Sequence, residues 1–272
     1  MRFRESSRLV SGKVLVVLPT LGDRLDLLAI TLKTVQEQRA DIELTLAVII
    51  PPAATEARAL AESYGALLID DTRTGLTGAI NSGIEARTDE EFYAWIGDDD
   101  LFRPGGLKRL RALLDAHSDA VLAFGGCDYI DPEGRTIAVS NAGALAPLLL
   151  AWGPDLIPHP GTMIRLDALN AVGNFNVELK YAMDLDVFLK LRKYGRFVWT
   201  RDSVSAFRWH PESLTVANRA ASGAEAESIK RSHLPAALRP ISPLWHVPIR
   251  WASQFAAKRV TAGARRLSNT AT

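Results

Sequence analysis

Apolar runs alternate with amphipathic segments through the first half of the chain. Lys13 to Leu18 (KVLVVL) is a continuous aliphatic run that stops at Pro19-Thr20-Leu21-Gly22, the pattern of a buried strand followed by a turn. Leu25, Leu28, Leu32 and Val35 then recur at helical spacing, and Asp23 stands where it can cap that helix. The pattern repeats. Strand-like runs at Glu43 to Ile50, Ala66 to Ile69, Phe92 to Ile96 and Val121 to Phe124 are separated by helical stretches at Thr55 to Tyr64, at Thr77 to Ala86, and from Pro104 through Leu114. Such alternation predicts βαβ units, hence an α/β fold with a mostly parallel sheet flanked by helices. Fully apolar strands fit a sheet covered on both faces.

In open α/β sheets, ligands bind beyond the carboxyl ends of the strands. The Pro19 to Gly22 turn, Asp70-Asp71 and Asp98-Asp99-Asp100 all fall at such ends. The triplet is the sharpest signal. Adjacent carboxylates repel one another, so a cation is expected beside them, and hard oxygen ligands suit Mg²⁺ or Mn²⁺ bound together with substrate phosphates. An acidic run before the helix at Pro104 would also satisfy that helix's dipole. Position at the end of a buried strand, on the ligand edge, favours a site.

From Gly126 the rhythm changes. Asp131-Pro132-Glu133-Gly134 reads as a turn between two strand-like runs, Leu185 to Tyr194 as a firm helix, and Phe197 to Trp199 and Val204 to Trp209 as further strands. No internal repeat or flexible linker separates the halves.

The 272 residues suffice for one sizeable core, and 47% hydrophobic with 23% charged residues is an ordinary globular balance. A formal net charge of +1 gives no reason to expect a nucleic-acid partner. The charge is unevenly spread, however. After Glu227 there is no acidic residue, while Lys230, Arg231, Arg239, Arg250, Lys258, Arg259, Arg265 and Arg266 follow. Residues 235–266 mix these with Trp245, Ile249, Trp251, Phe255 and Val260, a composition that suits either an anionic membrane surface or a terminal helix packed on the main domain. A single cysteine, Cys127, rules out an internal disulfide and fits a reducing compartment. The N-terminus lacks the apolar core of a signal peptide, and the stretch from Ala144 to Trp152 is too short to span a bilayer. A cytoplasmic location, peripheral at the inner face of the membrane, is expected.

Five segments now stand in order: VLVVLPTLG (14–22), GLTGAINSGIEA (75–86), YAWIGDDDLFRPGGL (93–107), HPGTMIR (159–165) and GNFNVELKYAMDLDVFLKLRKYG (173–195). Together, over roughly residues 13 to 215, they resemble glycosyltransferase family 2. The resemblance implies a GT-A fold, with a Rossmann-like nucleotide-sugar-binding half (13–125) and an acceptor and catalytic half (126–215). An N-terminal extension (1–12) and a basic tail (216–272) flank them. It implies an inverting hexosyl- or deoxyhexosyltransferase moving sugar from a nucleotide-diphosphate sugar to a carbohydrate or lipid-linked acceptor, in cell-surface polysaccharide or glycolipid assembly.

By the same resemblance, the triplet matches the DXD motif that holds Mn²⁺ or Mg²⁺ and the donor. Either Asp98 and Asp100 form it, or Asp99 and Asp100 are the matched pair, with Gly97 at the family's first acidic position. Pro19, Thr20, Asp71, Gly75, Asn81, Asp98 and Asp99 are expected to contact the nucleotide-sugar, Asn81 through its amide, and Ala79 and Gly83 lie in the helix beneath it. Where many members carry an acidic stretch for the base, this chain has Pro51-Pro52-Ala53-Ala54, so Asp70 or Asp71 is the expected replacement. Asp184 matches the catalytic base, with Met183 in place of the usual Glu; its alternative role is to cap the helix at Leu185. Asp186 reads as a solvated first-turn residue. His159 and His210 are expected on the acceptor side or near phosphate. Two rival functions are a nucleotidyltransferase and a non-catalytic sugar-nucleotide-binding module, although Pro19 to Arg24 is a poor triphosphate loop.

Overall fold

The computed structural model describes residues 12–140, 143–209, 218–245 and 248. The alternating pattern builds β1 (Lys13–Pro19), α1 (Leu25–Gln38), β2 (Leu44–Ile50), α2 (Thr55–Ser63), β3 (Leu67–Asp70), α3 (Leu76–Glu85) and β4 (Glu90–Trp95). Then follow the two-residue β5 (Leu101–Phe102), α4 (Gly106–Ala116), the long β6 (Ala120–Ile130) and β7 (Thr136–Ser140). The remainder comprises α5 (Ala146–Leu149), β8 (Thr162–Arg165), α6 (Leu166–Ala171), α7 (Met183–Leu191), β9 (Arg196–Arg208) and α8 (Arg219–His233).

All nine strands share one sheet in the order β3-β2-β1-β4-β8-β6-β9-β5, with β7 paired to β6. β1 runs parallel to both β2 and β4, and β2 parallel to β3, so the carboxyl ends of these four strands share one edge. β8 is antiparallel to β4 and to β6 and carries the sheet into its second half. Two cores result from the alternation of side chains along each strand. Leu15, Val17, Ala47, Ile49 and Tyr93 pack with Ile80 and Ile84 of α3 and with α6 and α7. Val14, Val16, Leu18, Val48, Ile50 and Phe92 pack with Leu28 and Leu32 of α1, Ala57 and Ala61 of α2, and Leu107 and Leu110 of α4.

Some local expectations change. Asp23 does not cap α1; Arg24 occupies that position, and no side chain caps the helix. The two strand-like runs around residue 200 form the single strand β9. It pairs in parallel with β6 from Ala120↔Arg196 to Ile130↔Arg208, and the polar stretch between the runs coincides with register shifts near Gly126. Among the described residues, no helix is long and apolar enough to cross a membrane. Within the tail, a short 3-10 turn spans Ala236–Leu238 and Trp245 packs on Trp152, with ring centroids 5.6 Å apart.

Candidate active site

The cation demanded by the acidic triplet is Arg24. Its guanidinium bridges Asp98 and Asp99, with Nη1 donating to Asp99 Oδ2 at 2.6 Å and Nη2 to Asp98 Oδ1. Burial works against the Arg24 charge, yet the two carboxylates raise its pKa overall. Thr20, from the turn after β1, donates its hydroxyl to Asp98 Oδ2 at 2.6 Å and accepts the Gly22 N–H at 3.0 Å. Thr20 is therefore spent in aiming Asp98. Burial lifts the Asp98 carboxyl above its ordinary range, and the Thr20 bond and the Arg24 charge oppose that lift.

Asp100 faces inward. It is 1% exposed, its Oδ1 accepts the Arg208 N–H at 2.9 Å, and its carbonyl accepts the Thr31 hydroxyl at 2.8 Å. Burial holds its pKa well above the usual carboxylate value. Arg208, itself buried, donates to the carbonyls of Asp99, Asp131 and Pro132 at 2.9, 3.0 and 2.6 Å. It locks the acidic loop to the β6–β7 turn. This geometry adds a structural role to the expected metal ligand Asp100, one of whose carboxylate oxygens is engaged by backbone.

Neither Arg24 nor Arg208 is singled out by sequence reasoning. The repulsion within the triplet is the one signal that asks for such a cation. Arg24 lies just past the β1 turn on the same edge, so it could have been nominated; Arg208 has no local signature.

Two further residues are placed by their contacts. Asn81 has a structural role beyond the expected contact with the nucleotide-sugar: its Nδ2 donates to the Phe175 carbonyl at 2.8 Å and its Oδ1 accepts the Phe175 N–H at 3.2 Å. With Thr77 Oγ1 donating to the Leu179 carbonyl at 2.8 Å, it fastens α3 to the segment that leads into α7. His159 does not line an open acceptor face. It is 6% exposed, stacked on Trp95 at 4.6 Å, close to Phe175 and Phe188, with Nε2 3.2 Å from the Tyr93 hydroxyl. Burial drives its pKa down to about 3, so the ring is neutral.

The other predicted residues lie where the strand ends put them. Pro19 closes β1. Asp71 follows β3 and accepts the Arg73 N–H at 2.8 Å, whereas Asp70 is paired with Arg58 at 2.7 Å. Gly75 starts α3 with φ 86°, a left-handed conformation that other residues rarely adopt, and nothing crowds it. Gly83 is required for space: an added Cβ would lie 2.8 Å from Val17 Cγ1 and 2.9 Å from Ile49 Cδ1. His210 lies outside the described residues.

Asp184 sits in the first turn of α7, half-buried, with Oδ1 accepting the Leu185 N–H at 2.8 Å. Loss of solvent around the carboxyl raises its pKa to about 6, and the Glu225 charge adds to the lift. It is not the N-cap, which is Ala182. Asp186 is not solvated either: it is buried between Lys190 at 2.7 Å and His233 at 3.1 Å.

Among the described residues, no three acidic, histidine or cysteine side chains converge as a ready-made metal cage. Hard divalent cations usually take one or two carboxylates and complete their shell with water and substrate phosphate. Asp98 and Asp99 fit that pattern in type and position. That a guanidinium already bridges them shows that the pair accommodates positive charge.

A parallel nucleotide-binding-type sheet continued by antiparallel strands, with the acidic loop at the end of β4, defines a GT-A architecture. The family model of Glycosyl transferase family 2 matches residues 15–169, more than half of the chain, and the protein belongs to that family. No curated protein matches it in sequence. Among solved structures, TarS 1–349 of S. aureus is similar at 19% identity and TM-score 0.57, covering 82% of this chain and 69% of its own. The same TarS segment in complex with UDP-GlcNAc matches at 16% identity and TM-score 0.58, over 82% and 70% of the two chains. The mannosyltransferase PcManGT of Pyrobaculum calidifontis, in complex with GDP-Man and Mn²⁺, matches at 19% identity and TM-score 0.61, over 96% and 79%. At such identities these likenesses establish the fold.

Proposed function

We propose that the protein is an inverting, divalent-metal-dependent glycosyltransferase that moves a sugar from a nucleotide-diphosphate sugar to a hydroxyl acceptor. The observation that carries this reading is the pair of carboxylates, Asp98 and Asp99, held at the end of β4 by Thr20 and Arg24 in a chain of glycosyltransferase family 2. Asp98 and Asp99 would hold Mn²⁺ or Mg²⁺; the complex of PcManGT with GDP-Man and Mn²⁺ is consistent with such a cation. When bound, the cation supplies charge neutralisation to the leaving diphosphate.

The chain's own residues carry the rest. Thr20 orients Asp98, and Arg24 holds the place of the cation between the two carboxylates, its guanidinium suited to phosphate oxygens once the cation takes that place. Asp71 and Pro19 frame the nucleotide side. Asp184 takes the proton from the acceptor hydroxyl, which attacks the anomeric carbon opposite the departing nucleoside diphosphate, so the configuration inverts. A carboxylate with a pKa near 6 is suited to that task, because it is ionised at neutral pH yet basic enough to accept a proton. Cell-surface polysaccharide or glycolipid assembly is the setting we infer. Exposed Ile241 and Leu244 beside the Trp152–Trp245 contact support peripheral membrane attachment through residues 235–266, most of which lie outside the described residues.

The test is calorimetric titration with UDP, GDP and dTDP, with and without Mn²⁺. Tight, metal-dependent binding of one nucleotide, lost in Asp99→Asn, is the expected result. Equal binding with and without metal would remove the metal from the proposal. Binding without donor turnover would favour a non-catalytic module.

A further inference from the structure

Glu225 reaches from α8 to the backbone amides that lead into α7. Its Oε1 accepts the N–H of Tyr181 at 2.7 Å and of Ala182 at 2.8 Å, and the Lys180 N–H lies 3.2 and 3.1 Å from its two oxygens. These N–H groups lie before or at the start of α7, outside its hydrogen-bond ladder, so they need an acceptor from elsewhere. The acceptor comes from about forty residues downstream. Asp184 follows Ala182 by two positions.

The same helix is fastened further along. Lys230 donates to the Gly153 carbonyl at 2.6 Å, and His233 meets Asp186 of α7 at 3.1 Å. α8 thus grips α7 near its start through Glu225 and again through Asp186. On the opposite side, Thr77 and Asn81 of α3 hold the segment at 175–179.

We propose that Glu225 is a positioning residue for Asp184: it gathers the amides of Lys180, Tyr181 and Ala182 and so fixes the turn from which the base projects. The inference rests on Asp184 acting as the base. Misplacement of a catalytic group by as little as 1 Å can cost about 100-fold in rate, so this anchor matters more for turnover than for donor binding.

Glu225 also acts through its charge. The groups that face Asp184 are Tyr93 from β4, Asp155 from the loop before β8 with Lys230 close to it, and Glu225 from α8. Along α7, Asp186 is compensated by Lys190 and His233. Burial is the main cause of the raised Asp184 pKa, and the Glu225 anion adds to it. Removing that anion lowers the pKa.

The NMR and exchange measurements use the full-length, metal-free protein and need no knowledge of the donor. The Asp184 carboxyl carbon, assigned by its loss in Asp184→Asn, is titrated by NMR in wild type and in Glu225→Gln. Hydrogen exchange of the Lys180, Tyr181 and Ala182 amides is followed in Glu225→Ala. The expected results are a lower Asp184 pKa in Glu225→Gln and at least ~10-fold faster exchange in Glu225→Ala, since the anchoring bonds are lost. For whichever of UDP-GlcNAc or GDP-Man is hydrolysed, kcat should fall about 10- to 100-fold in Glu225→Ala with KM little changed. Unchanged exchange of the three amides in Glu225→Ala, or in the milder Glu225→Asp where Glu225→Ala fails to fold, overturns the inference; the Asp184 pKa in Glu225→Gln reads the charge contribution alone. Undiminished turnover in Asp184→Asn overturns the base assignment instead, a result that requires no Glu225 variant.

Discussion

Replacing Arg24 with Met removes the guanidinium between Asp98 and Asp99 while keeping much of the aliphatic stem. The side chains of Asp98 and Asp99 are 7% and 13% exposed, and that of Arg24 is 37% exposed. Removing one partner of a buried ion pair costs about 3–5 kcal/mol, whereas an exposed pair contributes about 0–1 kcal/mol. Arg24 lies between these limits, because water screens its open side. The metal-free variant should therefore lose about 2–3 kcal/mol, chiefly from the loss of the guanidinium shared by two neighbouring carboxylates. Urea unfolding in the presence of a chelator measures this deficit directly. Adding Mn²⁺ should then favour the variant, since its carboxylates are no longer bridged. A cation at 100 times its Kd stabilises the folded state by about 2.7 kcal/mol, enough to remove most of the difference from wild type. Calorimetry should show the variant binding Mn²⁺ more tightly than wild type in the absence of nucleotide. The same deficit with and without Mn²⁺, together with no gain in affinity, would refute the idea that Arg24 occupies the place of a metal ion.

Asp184→Asn should abolish transfer while leaving nucleotide binding intact, and wild-type kcat should rise with pH through about 6 as the base ionises; full activity or a flat acid limb would contradict this. Asp100→Ala should cost about 1–3 kcal/mol by leaving the Arg208 N–H unpaired, whereas Asp100→Asn, which keeps an acceptor, should be nearly neutral in urea unfolding. His159 has a folded pKa of about 3 against 6.5 in the unfolded chain, so the unfolded state takes up its proton first. Its stabilising contribution is complete above pH 6.5 and declines as pH falls towards 3, with a slope of up to about 1.4 kcal/mol per unit. In His159→Gln that share of the slope should vanish; an identical pH dependence would place the ring's proton elsewhere. Full-length protein should co-sediment with phosphatidylserine vesicles but not with phosphatidylcholine vesicles, and lose this on removal of residues 249–272. Equal recovery on both would rule out an electrostatic contribution from the tail.

The parallel half of the fold was legible because its strands are apolar at nearly every position and its helices show one apolar stripe. Local pattern alone specifies such elements. Side-chain destinations were not legible where they depend on partners distant in sequence. Asn81 has the chemistry of a ligand contact, yet its amide also binds the backbone of Phe175, 94 residues away. His159 beside Pro160 and Gly161 is expected on the acceptor side, until Trp95 and Tyr93 enclose it. Asp98, Asp99 and Asp100 are chemically equivalent in the sequence. Only the return of β9 turns Asp100 inward and leaves the first two beside Arg24. Glu225 shows the same limit from the other side, because nothing near it in the chain marks a helix that begins at Met183.

The bond from Arg208 to Asp100 spans 108 residues, and Glu225 lies later still. Ribosomes extend a chain by about 5–20 residues per second, so the acidic loop emerges roughly 5–20 s before the residue that locks it. During synthesis, the strands of the parallel half can pair while α7 still lacks its contacts with α8. The order of translation therefore sets the order of assembly: the nascent chain carries an unlocked acidic loop until β9 and α8 have been made.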